Sequence, residues 1–156
     1  MFRSKFSPAS LSLAMMVSFG AAVGAAPVFT RGPFVQNAST NSIPFLWKTS
    51  EPADTAVGLG RTPELGEILL DERLETHHVL RVIGLEPGTT YHYRASSSNA
   101  SGSVSSYICS FTTLQSTGPL SFIVVGDSGL PGTPELQMVE VMRNLQADLI
   151  MHLGDV

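Results

Sequence analysis

The chain has one cysteine, one tryptophan and only nine lysines and arginines in 156 residues. A single thiol, Cys109, excludes an intrachain disulfide, so no cystine framework staples the fold. The scarcity of basic side chains argues against nucleic acid. Past residue 25, seven Lys/Arg face 13 Asp/Glu, a net charge of −6 with no cationic stripe for a phosphate backbone. Acidic residues are missing altogether before Glu51. The apolar run from Leu11 to Ala26 is shorter than the about 18 residues a membrane span needs, and Ser12, Ser18 and Gly20 interrupt it. Disorder is excluded from the other side: only 14% of residues are charged while 43% are hydrophobic.

What is present at the N-terminus reads as an export signal. Arg3 and Lys5 form a positive start, Leu11 to Ala22 is apolar, and Val23-Gly24-Ala25 offers small residues for cleavage before Ala26-Pro27. Residues 1–25 are therefore expected to be removed. The mature chain is expected to be secreted or periplasmic, with no membrane attachment after cleavage. Asn37-Ala38-Ser39 and Asn99-Ala100-Ser101 match glycosylation sequons, which matter only in a eukaryotic secretory pathway.

From about Arg31 to Thr113 the sequence has a period of two, with turn residues every eight to twelve positions, which predicts a β-sandwich domain over residues 27–114. Ile43, Phe45, Trp47 and Thr49 share one strand face, with Pro44, Leu46 and Lys48 on the other. Pro44 cannot donate to a ladder, so its strand is expected at an edge or bulged there. Glu51-Pro52-Ala53-Asp54 reads as a turn, after which Thr55, Val57 and Leu59 alternate again. Val79 to Ile83 leads into Gly84-Leu85-Glu86-Pro87-Gly88, and Tyr91, Tyr93 and Ala95 then share a face. Ser96 to Ser103 reads as a polar loop, and Val104 to Thr113 as a last strand that carries Tyr107, Cys109 and Phe111 on its apolar side. Cys109 is thus expected to be a buried, inert thiol.

Here the sequence resembles a fibronectin type III-like domain. The run Leu85-Glu86-Pro87-Gly88-Thr89-Thr90-Tyr91-His92-Tyr93 looks like the loop and strand of a tyrosine corner, in which a phenol bonds back to nearby backbone. Gly32-Pro33-Phe34-Val35-Gln36-Asn37, with the strand carrying Trp47, is similar to the variant that precedes purple acid phosphatase catalytic domains. The fold itself supplies no chemistry. The histidines of this region are read as structural. Adjacent His77 and His78 point to opposite faces of a strand and cannot chelate one ion, and His92 projects away from the two tyrosines.

After a Gln/Ser/Thr/Gly/Pro linker the pattern changes. Leu120 to Val125 is a continuous apolar run, expected to be a strand buried on both faces. Thr133 is a candidate N-cap with Pro134 at the first helical position, and Met138, Val141, Met142 and Leu145 recur at helical spacing, the methionines as core packing. Leu149 to Leu153 is a second buried strand, with His152 expected to be buried and bonded to a neighbour. Residues 119–156 are thus predicted to form one βαβ unit with parallel strands. Each strand ends in Gly-Asp. Asp127 and Asp155, 28 residues apart, are brought to the same sheet edge, where two carboxylates can converge on metal ions. The glycines beside them admit a ligand without a Cβ in the way.

This arrangement is similar to the calcineurin-like metallophosphoesterases, and with the preceding sandwich it looks like a purple acid phosphatase. Asp127-Ser128-Gly129 matches the family's Asp-x-Gly motif and Gly154-Asp155 begins its second motif. The resemblance implies an all-β sandwich followed by the first βαβ unit of an α/β metallophosphatase domain. It implies that Asp127 binds one metal and Asp155 bridges two, in a dinuclear centre of Fe with a divalent ion such as Zn, Mn or Fe. The implied substrate is a phosphate ester. The colour-giving Tyr, an Asn-His motif and two later His motifs would follow Val156, so the chain is expected to be an inactive N-terminal fragment. Two alternatives stay open. Gly126-Asp127-Ser128 also resembles the first block of the Gly-Asp-Ser esterases, with Ser128 as nucleophile, although no Asp-x-x-His block is present. A non-catalytic exported binding module is the other.

Overall fold

The computed structural model describes residues 24–126, 133–145 and 147–154. Six strands come first: β1 (Phe29–Val35), β2 (Ser42–Gly60), β3 (Glu67–Ile83), β4 (Thr90–Asn99), β5 (Gly102–Ser105) and β6 (Cys109–Thr112). They are joined by antiparallel ladders. Two of them are much longer than the turn spacing suggests. The first half of β2 pairs with β1 and with the second half of β3, from Ser42↔Ile83 to Lys48↔His77. Its second half pairs with the start of β3, Thr55↔Asp71 to Leu59↔Glu67, and with β4. Between the halves the register slips at Ala53↔Glu75. Glu51–Asp54 is therefore a bend inside β2 and not a turn. Pro52, which has no donor to lose, sits where the strand leaves one layer for the other, the usual way a sandwich turns a corner.

The two layers face each other through the alternating side chains. Phe45 on the first half of β2 lies 4.8 Å from the Tyr93 ring and 5.7 Å from Phe111, ring to ring, although neither is its ladder partner. Ile43, Trp47, Val57, Leu59, Val82, Leu85, Tyr91 and Ala95 complete the buried core among the described residues, so the predicted faces of both halves of β2 hold. At the edge of that core the Tyr91 hydroxyl accepts the Glu86 N–H at 3.1 Å, the expected tyrosine corner.

Three local expectations change. Pro44 is not in an edge strand: β3 flanks it at Arg81 and its carbonyl accepts the Gln36 N–H at 3.4 Å. The N and C=O of one strand residue point the same way, so the missing donor faces β1 just past its last paired residue, Val35. Ser96 to Ser103 is no loop. Ser96–Asn99 pair with Gly102–Ser105 in a hairpin, and Ser97 is fully buried because its hydroxyl receives the Trp47 indole N–H at 2.9 Å. Val104 to Thr113 breaks into β5 and β6. Tyr107 falls in the break and is 91% exposed, and Cys109, at the first position of β6, is exposed as well. Side-chain alternation survives only inside a strand, so only Phe111 of the three reaches the core. Burial, with Cys109 beside it, still pushes the Tyr93 phenol up to about 12.

The remaining elements are β7 (Phe122–Val125), α1 (Thr133–Asn144) and β8 (Leu149–His152). β7 and β8 pair in parallel, Phe122↔Leu149 to Val125↔His152, with the helix between them in sequence. Neither strand is buried on both faces as their composition suggests. Phe122, Val124, Ile150 and Met151 are exposed, as are Leu136, Met138 and Val141 of the helix. Two strands and one helix do not supply enough layers to cover each other.

Candidate functional site

Position in the ladder decides what each candidate residue can do. At the N-terminal edge of the parallel pair, Asp148 accepts the Ser121 N–H at 2.7 Å and its hydroxyl at 2.8 Å. These bonds hold the Asp148 carboxyl below its usual range and tie the two strand starts together. At the C-terminal edge the Leu153 N–H donates to the Val125 carbonyl at 2.8 Å, so the ladder runs on past the strands. Gly126 lies against the other turn: a Cβ there would be 3.5 Å from the Leu153 Cβ and 4.0 Å from the Gly154 carbonyl oxygen. Gly154 takes a φ of +103°, which side-chain-bearing residues rarely adopt.

The residues that follow these glycines, Asp127 and Asp155, lie outside the described residues, as does Ser128. His152 is exposed where burial is expected. Its Nδ1 accepts the Gly154 N–H at 3.2 Å, a bond that holds the turn before Asp155. Among the described residues, no three His, Cys, Asp or Glu side chains gather as a metal site.

His77 and His78 sit back to back as expected. His77 is exposed on the outer face, whereas His78 is 1% exposed in the core. The His78 Nε2 meets the Thr49 hydroxyl at 2.9 Å, its Nδ1 meets the Thr55 hydroxyl at 2.7 Å, and its ring stacks on Trp47 at 5.0 Å. With both nitrogens engaged it is a structural residue. Burial lowers its pKa below the ordinary 6.5, against the opposing pull of Asp54 and Glu75 and with some help from His77. The unfolded chain therefore takes up a proton that the folded chain resists. The stability this contributes is fully present above pH 6.5 and is lost as the pH falls below it. Urea midpoints measured down a pH series are expected to drop in that window, by at most about 1.4 kcal/mol per pH unit for one proton. His78→Gln is expected to flatten the drop, and an unchanged slope in that variant would assign it to other groups.

Comparison with known proteins bears on the scaffold. No protein-family model matches the sequence, and no curated protein matches it. Among solved structures, that of PhoD superposes with a TM-score of 0.63 over 83% of this chain, at 16% identity.

The chain is similar in fold to PhoD.

It spans only 29% of the PhoD chain in that superposition. Two human fibronectin type III domains also match. One derives from the KIAA0970 protein (TM-score 0.43, 17% identity, 62% of this chain and 76% of that one). The other is from fibronectin type III domain containing protein 3 (0.40, 18%, 61% and 87%). The antiparallel strands described above form a β-sandwich whose two layers meet at Phe45, Tyr93 and Phe111. The superposition on PhoD covers more of the chain than either human domain does.

Proposed function

We propose that this chain is the N-terminal part of a metal-dependent phosphoric ester hydrolase, exported from the cell, in which Asp127 and Asp155 are the first two metal ligands. The observation that carries this reading is the closeness of the two glycine turns at one edge of the parallel pair. Asp127 and Asp155 are the residues that follow those glycines in sequence. Similarity in fold to PhoD over 83% of this chain supports the reading at the level of the scaffold. The acid phosphatase variant, with iron and a divalent partner, is the narrower form of this proposal.

The residues in hand do not by themselves fit a two-metal centre. Two carboxylates fall short of the three or four protein ligands that fix even one catalytic ion. In this reading the missing ligands, and the hydrolysis itself, belong to sequence after Val156.

The test is hydrolysis of p-nitrophenyl phosphate and bis-p-nitrophenyl phosphate by the product of the whole reading frame, with and without a chelator. Asp127→Asn and Asp155→Asn are each expected to remove the metal-dependent activity, and Ser128→Ala to leave most of it. Chelator-resistant ester cleavage that Ser128→Ala abolishes would make Ser128 a nucleophile and end the metal reading.

A further inference from the structure

On the outer face of the layer formed by β1, the first half of β2 and the second half of β3, basic side chains line up across the strands. Arg31 is the ladder partner of Lys48, and Lys48 is the partner of His77. The next rung is apolar: Phe34 opposite Leu46, and Leu46 opposite Val79. Arg31 and Phe34 are three residues apart and belong on opposite faces of a regular strand. The register of β1 slips between them, three residues answering two on β2, and this bulge turns both side chains to the same side. The Arg31 guanidinium then lies 5.5 Å from the centre of the Phe34 ring. The bulge depends on Gly32, at φ +74°, where a Cβ would come within 2.8 Å of the Leu46 carbonyl oxygen.

Like charges directly opposite each other destabilise a sheet, and this chain has few cations to place. Among the described residues, ion pairs form at Arg61–Glu86, Arg73–Asp71 and Arg143–Glu140, and none reaches Arg31, Lys48 or His77. The His77 Nδ1 meets the Thr76 hydroxyl at 3.2 Å, which leaves Nε2 to a ligand. The six side chains of the two rungs line a depression of about 220 Å³. That is smaller than the about 300–1,000 Å³ of drug-sized pockets, so its occupant is small.

We propose that this depression binds a small phosphoryl or phosphonyl dianion with an apolar body, its anionic end on Arg31, Lys48 and His77 and its body on Phe34, Leu46 and Val79. Neighbouring strands are about 4.8 Å apart, so the basic rung spans about 10 Å and its flexible side chains can close on one tetrahedral group. Charge complementarity selects the anion: a guanidinium fork and an ammonium beside it are a phosphate-type donor set. The apolar rung selects the body. The site is distinct from the edge that carries Asp127 and Asp155 and stands whether or not that edge binds metal.

The probe is phenylphosphonate, which has no ester bond to cleave, titrated into the ¹⁵N-labelled full chain and followed by amide and Arg31 Nε shifts. Saturable shifts confined to β1, the first half of β2 and the end of β3 are expected, with a Kd on the order of 1 mM. Lys48→Gln and Arg31→Gln are each expected to weaken binding about tenfold. Lys48→Arg is expected to keep it, and Asp127→Asn to leave it unchanged. The spectrum of each variant reports its fold directly. Shifts that never saturate, that persist in the double Arg31→Gln/Lys48→Gln variant, or that inorganic phosphate and phenol reproduce separately would overturn the proposal.

Discussion

Trp47→Ala is expected to lower the unfolding free energy by about 3–5 kcal/mol, a large share of the about 5–15 kcal/mol that holds a domain together. The indole is 2% exposed and sits where the two layers meet. One side of it stacks on His78, from the second half of β3, and its N–H donates to Ser97 of β4. His78 in turn bridges Thr49 and Thr55, on either side of the bend in β2. One side chain therefore closes a polar network that touches both layers and both halves of the strand shared between them. Its removal leaves a cavity, an unpaired hydroxyl on fully buried Ser97 and an uncovered imidazole, and these costs add. Trp47→Phe keeps most of the packing and loses the hydrogen bond, so about 1 kcal/mol beyond the volume change is expected. Urea unfolding followed by far-ultraviolet circular dichroism measures both variants, since the only tryptophan is lost. A cost for Trp47→Ala under about 1 kcal/mol would show that the layers are held elsewhere.

Trp47, Phe45 and the tyrosine corner were legible because period-two burial and a short turn motif are local signals. The sandwich followed from them. The joining of strands across the bend at Glu51–Asp54 was not legible, since Glu-Pro-Ala-Asp suits a turn as well as a corner between layers. Ser97 was lost in a polar run because its burial depends on an indole 50 residues away. Tyr107 and Cys109 escape a local reading for the opposite reason: the alternation stops at residues 106–108, which belong to no strand, and Cys109 stands at the first position of β6. For the candidate metal edge, the two Gly-Asp pairs named the strand ends, and the parallel register brought their glycines together. The basic rung had no such signature. Arg31, Lys48 and His77 are 17 and 29 residues apart, and only the register and the Gly32 bulge make them neighbours.

Hydrogen exchange is expected to divide the chain in two. Amides of β2 and β4 that flank the core, such as those of Val57, Tyr93 and Ala95, are expected to exchange only when the sandwich unfolds. Those of β7, α1 and β8 are expected to exchange at least about 100-fold faster through local opening. The difference rests on what each segment covers. Phe45, Val57 and Ala95 are fully buried between two layers, whereas Phe122, Val124, Ile150 and Met151 each leave close to half of their surface or more in water. A parallel pair of four-residue strands has too few rungs to hold itself together, and three or more strands with a covered face are the usual minimum. The Ser121–Asp148 bonds anchor one end of the pair, but an exposed bond of this kind opens readily. The same exposed apolar surface makes residues 119–156 prone to self-association, so exchange is to be measured at two protein concentrations. Slow exchange in β7 and β8 at both concentrations, matching that of β2, would mean that the parallel pair is stable by itself. Protection that grows with concentration would mean that a second copy covers the faces left bare here.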